Sequence, residues 1–245
     1  GMTPFLAACK AGDSAMVAFL LEHGARCCSG DFDMSGCSAL HHAVMASNTK
    51  LLEVLLSFPE GLQALQSIVD QESGDTDEMN AYTKKTSSCF HLACSSGNVD
   101  IVKMFMAAFS PQVTVDAKGR SPLHCSIEVG NIDICRFLLE NTTMSVRDVD
   151  NEGNTALHIA TMFNRSEIVQ LILCQYSADS NAQNSIGYTS LHYACSKNHI
   201  EIAKVLLDTG AGASTNVQGN QGSTPLIIAC FKRNHDLALL LLTDK

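Results

Sequence analysis

Gly153-Asn154-Thr155-Ala156-Leu157-His158-Ile159-Ala160 is the stretch on which the reading of this chain turns. It returns as Gly187-Tyr188-Thr189-Ser190-Leu191-His192-Tyr193-Ala194, and in shorter form as Gly119-Arg120-Ser121-Pro122-Leu123-His124. Looser copies are Gly36-Cys37-Ser38-Ala39-Leu40-His41 and Gly222-Ser223-Thr224-Pro225-Leu226-Ile227. His124, His158 and His192 are 34 residues apart each time. Self-similarity at a fixed period of this size marks an array of small units that bury their apolar faces on one another.

Each copy has the same local grammar. At Thr3-Pro4 the hydroxyl can cap free amides while Pro takes the first helical position. Apolar residues at helical spacing mark a first helix, and a short polar turn follows, such as Ala11-Gly12-Asp13 or Gly130-Asn131. A second apolar run, such as 16–21 or 134–139, marks a second helix. Gly24 is placed to end one of these in a left-handed conformation.

The pattern G-x-T-P-L-H-x-A, a polar turn and a second apolar run resembles the ankyrin repeat. Copies begin near Thr3, Gly36, Thr86, Gly119, Gly153, Gly187 and Gly222, about seven in all, so the resemblance covers residues 1–245 as a single domain. It implies an all-α solenoid of stacked helix-turn-helix units with projecting hairpin loops. One spacing departs from the period. From His41 to His91 is 50 residues, and the surplus falls in an acidic insertion over 59–84. Its first part, 62–69, has helical spacing and its second, 71–80, is polar. Such a segment is either a solvated insertion or a functional loop.

A net charge of −9 argues against nucleic acid, which demands clustered Lys and Arg. The longest aliphatic run, 237–242, is too short for membrane insertion. Eleven cysteines without a secretory leader point to a reducing compartment, so the expected location is intracellular: cytoplasmic, with the nucleus as the alternative. Cys9, Cys94, Cys195 and Cys230 share one repeat position, where a small apolar side chain fits the core.

No catalytic elbow, phosphate-binding glycine loop or H-E-x-x-H motif is present. Neither an enzyme activity nor a cofactor is expected, and the family resemblance implies binding without catalysis. His91 with Cys94, and His192 with Cys195, have i, i+3 spacing. Each pair belongs to a different repeat, whereas zinc needs about four converging ligands, so no metal site is expected. The resemblance assigns these histidines to hydrogen bonds that tie neighbouring loops.

In the ankyrin family, partners usually lie in a concave groove formed by hairpin tips and the exposed face of the first helices. Leu157, Ala160 and Thr161 form the inward stripe of one first helix, and Met162 and Phe163 fall off it. The first of these two positions reads Lys10, Met45, Ser95, Glu128, Met162, Ser196, Phe231 along the array. The second reads Ala11, Ala46, Ser96, Val129, Phe163, Lys197, Lys232. Arg120 and Tyr188 stand just after a repeat glycine, and Ile186 at a tip. Met162, Phe163, Val129, Ile186 and Tyr188 are therefore expected on one wall as apolar anchors, the alternative being that Met162 and Phe163 pack against a neighbour. Asp116, Asp148, Asp150 and Glu152 on nearby tips, with Glu128, would favour a basic partner segment beside that anchor. Asn181, in Ala178-Asp179-Ser180-Asn181-Ala182, resembles the hairpin asparagine that asparaginyl hydroxylase modifies in ankyrin proteins; the other reading is a turn closed by its side chain.

The expected function is a scaffold or adaptor that binds a partner protein or peptide. The alternative is the regulatory or targeting region of a larger enzyme, channel or acyltransferase, suggested by a chain that opens and stops close to a repeat.

Overall fold

The computed structural model describes residues 2–25, 32–58, 88–109, 115–208 and 212–243. The acidic stretch 59–84 and the adjacent pair Cys27-Cys28 lie outside them. The described residues form fourteen helices and no strand, in two compact units, residues 1–117 and 118–245.

The first unit holds α1 (Pro4–Ala11), α2 (Ser14–Glu22), α3 (Ala39–Met45), α4 (Thr49–Ser57), α5 (Cys89–Ser95) and α6 (Val99–Phe109). Consecutive helices pair, α1 with α2, α3 with α4 and α5 with α6. The pairs stack through two layers, α1-α3-α5 and α2-α4-α6. Leu6, Leu40, Leu51, Leu52 and Ile101 are fully buried, and the Phe105 ring lies between those of Phe90 (5.5 Å) and Phe109 (4.9 Å). Burying each such side chain is worth roughly 1.5–3 kcal/mol.

The second unit repeats this plan. Its first-helix layer is α7 (Pro122–Val129), α9 (Ala156–Met162), α11 (Ser190–Lys197) and α13 (Pro225–Phe231). Its second layer is α8 (Ile132–Asn141), α10 (Ser166–Cys174), α12 (Ile200–Asp208) and α14 (His235–Thr243). Leu123, Ile134, Leu157, Ile172, Leu191, Ile202 and Leu237 fill the space between layers. Cys195 is buried, but Cys230, at the same repeat position on α13, the last first helix described, is exposed.

Short helices need their ends satisfied. At α9 the backbone N–H of Thr155 donates to His158 Nδ1 at 3.1 Å; Ser121 and His124 (3.1 Å) and Thr189 and His192 (3.0 Å) do the same at α7 and α11. The histidine thus takes the place of the Glu or Gln that closes an ordinary capping box. Second helices begin on Asp13, Asn48 and Asn131, whose side-chain oxygens accept the third amide at 2.9–3.0 Å.

Hairpins between pairs are built on one acidic or amide side chain. Oδ1 of Asp150 accepts N–H groups from Glu152 (2.9 Å) and Asn154 (2.8 Å). Asn184 does so with Ile186 and Tyr188, and Asp33 with Ser35 and Cys37. Successive tips of the second unit are laddered by backbone bonds: Asn151 to the Lys118 carbonyl, Ser185 to Glu152 and Asn220 to Ile186, at 2.9–3.0 Å. Gly153 makes this close approach possible: its φ is +76°, and a Cβ there would lie 2.9 Å from the Ser185 nitrogen.

Candidate partner-binding surface

The ends of the first helices in the second unit are fastened in a row. The turns before α10, α12 and α14 each send a side chain back to the end of the previous repeat's first helix. Arg165 Nη2 donates to the Glu128 carbonyl at 2.7 Å. His199 Nδ1 donates to the Thr161 carbonyl at 2.8 Å, and Asn234 Nδ2 to that of Cys195 at 2.8 Å. These bonds set Val129, Met162-Phe163, Ser196-Lys197 and Phe231-Lys232-Arg233 side by side in that order.

Their exposure separates surface from core. Thr161 is fully buried, as its place on the inward stripe requires, and Met162 is half-buried. Phe163 is 40% exposed, Val129 41% and Phe231 83%. Three large apolar side chains thus stand in water at positions where α11 offers Ser196 and Lys197.

Arg120, just after a repeat glycine, reaches this face. Arg120 Nη1 reaches Glu128 Oε2 at 2.6 Å, so these two expected binding residues meet each other. Tyr188, half-buried, stacks on His192 with centroids 5.0 Å apart and meets Tyr193 edge-on at 5.9 Å. Its ring also covers Gly219, where a Cβ would come within 2.9 Å. Tyr188 is thus part of the packing between neighbouring hairpins as well as of the surface. Ile186 is 51% exposed at its tip.

The acidic tips are partly spent on structure. Asp150 closes its hairpin, and its second oxygen accepts Asn154 Nδ2 at 3.1 Å. Glu152 is exposed, with Asn154 Nδ2 3.3 Å from its Oε2. Asn154 and Asn184 are buried, and Asn184 Nδ2 joins Asn154 Oδ1 (2.8 Å) to the Tyr193 hydroxyl (2.9 Å). Asn181 bridges to the following hairpin: its Nδ2 donates to the Gly212 carbonyl at 3.0 Å and its Oδ1 accepts the Ser214 amide at 2.7 Å.

The histidines are bridges. With Nδ1 of His158 accepting from Thr155, its proton sits on Nε2, which donates to the Tyr188 carbonyl at 2.9 Å. His192 Nε2 donates likewise to the Ser223 carbonyl at 3.0 Å. Burial lowers the pKa of both rings below the ordinary 6.5, although the accepting carbonyls oppose it. Burial also pushes the Cys195 thiol up to about 12, so it stays protonated beside His192. Among the described residues no group of three or more His, Cys, Asp or Glu is placed to hold a metal ion. No helix among them is long and apolar enough to cross a membrane.

The linking residues Arg165, His199 and Asn234 were not singled out from the sequence. Their shared place at the start of each second helix was the available signal, but three chemically different side chains mask it. Phe231 and Lys232 were visible in the positional series, without any sign of how far Phe231 stands out, and Arg233 was not part of it.

A family model for ankyrin repeats, in three-copy form, matches residues 1–67, 59–148, 90–184 and 163–245. No curated protein matches the chain.

Proposed function

The chain belongs to the ankyrin-repeat family, whose members are generally protein–protein interaction modules and typically non-catalytic; on that premise we propose that residues 118–245 bind an extended segment of a partner protein, in a scaffold or adaptor role. The carrying observation is the fastened row of first-helix ends, with Val129, Phe163 and Phe231 exposed along it. A partner side chain set between Val129, Met162 and Phe163 would exclude water from all three, which is how a few apolar anchors dominate binding energy. Ile186 and the outer edge of Tyr188 extend the wall toward the tips. Exposed Asp148 and Glu152, with whatever field Arg120 leaves to Glu128, suit a basic residue next to that anchor. Asp150, committed to its hairpin, contributes through charge and not through contact.

Preformed backbone geometry supports the reading. The tip ladder and helix-end links hold the surface before a partner arrives, so little ordering is left for binding to offset.

The test is quantitative affinity capture from cell extract with the wild type, Phe163→Ala and Val129→Ser, each verified by helical circular dichroism and a cooperative melt. A partner captured by the wild type and depleted about tenfold or more by Phe163→Ala supports the assignment. A partner captured equally by all three folded proteins sinks it.

A further inference from the structure

We propose that Lys197, Lys232 and Arg233, gathered around Phe231, form a second docking site on the same surface, and that it takes an acidic stretch of the partner bearing a large apolar side chain.

The geometry assembles these residues from two repeats. Lys197 ends α11, and Lys232 and Arg233 follow α13, which packs directly on it. The bond from Asn234 Nδ2 to the Cys195 carbonyl at 2.8 Å pins the second turn to the end of the first helix. Lys197 and Lys232 are thus equivalent positions of neighbouring pairs, on the same side. Asn198 and Arg233, at the next position, share a left-handed backbone (φ 60° and 59°), so the two turns have one shape. Phe231, the last residue of α13 and next to Lys232, is 83% exposed.

The charges here are unspent. All three residues are exposed, and none makes a side-chain hydrogen bond or ion pair among the described residues. Arg120 is paired with Glu128 and Asp150 closes its own hairpin, while the exposed carboxylates Asp148 and Glu152 lie on hairpin tips of earlier repeats. The α11–α13 end thus presents three unpaired cations, although the whole chain carries −9. Three cations around an exposed aromatic ring complement carboxylates flanking an apolar side chain, and they repel the basic occupant that the ring face alone would attract.

This rests on the groove reading and deepens it by giving the partner a direction. The segment lies with its apolar and basic part over Val129–Phe163 and its acidic part over Lys197–Arg233. Charge at the ends fixes polarity, which apolar burial alone cannot do.

The experiment is fluorescence anisotropy of the purified chain with a labelled peptide alternating Glu with Leu and Phe. A Lys-for-Glu version and a single-stranded oligothymidine serve as alternative occupants. The expected result is saturable binding of the acidic peptide, weakened by added salt and reduced about tenfold or more in Lys197→Gln/Lys232→Gln/Arg233→Gln. Charge reversal of the three to Glu should abolish it. Loss in Phe163→Ala with no loss in the triple Gln variant would keep the groove and overturn the basic site. Absence of acidic-peptide binding, or preference for the Lys peptide, overturns the proposal. Tighter binding of the oligothymidine would reassign the cluster to phosphate.

Discussion

His158 Nε2 lies 2.9 Å from the carbonyl oxygen of Tyr188, thirty residues further along the chain. The same ring closes the start of its own helix through Nδ1, so one neutral imidazole satisfies a donor in one repeat and an acceptor in the next. Replacing His158 with Ala leaves both half-buried partners unmet. The expected loss is about 2–4 kcal/mol, read as a lowered urea midpoint with little change in slope.

Neutral buried histidines also set a pH dependence. Burial, then neighbouring His42, lowers the pKa of His41 from 6.5 to about 4, with Asp33 opposing; burial likewise lowers His124, His158 and His192. A depressed histidine binds its proton more readily in the unfolded chain than in the folded one. Folding stability is therefore full above about pH 6.5 and falls as pH drops toward the folded values. His41 alone corresponds to roughly 3 kcal/mol over that window. Thermal melts from pH 7 to pH 4 should show a steadily falling midpoint; a flat profile would contradict neutral, buried rings.

Asn184 offers a sharper local test. Its Oδ1 accepts two backbone amides and its Nδ2 serves Asn154 and the Tyr193 hydroxyl, from a side chain that is itself buried. Asn184→Ala should cost about 2–4 kcal/mol, because four groups lose a partner at once. Asn184→Asp should cost less, since Asp150 performs the same hairpin task. Denaturation curves for the two variants give the ordering directly.

Gly153→Ala should destabilise by about 1–3 kcal/mol, combining a left-handed backbone with a Cβ pressed onto the Ser185 amide. The loss should come with faster hydrogen exchange at Ser185, whose bond to the Glu152 carbonyl must lengthen.

Thiol chemistry divides the described cysteines in two. Cys174 and Cys230 are exposed, whereas Cys135 and Cys195 are buried and their thiols pushed up to about 11 and about 12. Labelling of the native chain with a thiol reagent, read by peptide mapping, should mark the first pair and spare the second until denaturant is added.

Much of the fold was readable because the repeat writes each structural need several times. The 34-residue spacing of His124, His158 and His192 and the turns such as Gly130-Asn131 locate both helices of each pair. Met162 and Phe163 were separable from the inward stripe by helical period alone, and the burial of Thr161 against the exposure of Phe163 follows that division. What did not show is how polar side chains divide their bonds. Asp150 and Glu152 look alike in sequence, yet one is a hairpin keystone and the other stays exposed with one bond from Asn154 Nδ2. Arg120 and Glu128, eight residues apart, gave no hint of meeting. Such pairings depend on distances across a folded surface, which a linear period does not encode.

The links at Arg165, His199, Asn234 and, in the first unit, Asn48 (to the Gly12 carbonyl, 2.9 Å) all end on main-chain oxygen. Any residue type supplies that acceptor, and here Glu, Thr, Cys and Gly do. At these links a change of the accepting residue's side chain therefore imposes no matching change on the donor in its neighbour. Repeats joined in this way can be duplicated, swapped or redecorated singly while the joint between them stays intact. Mutational drift can accordingly rewrite the exposed letters of such an array one unit at a time.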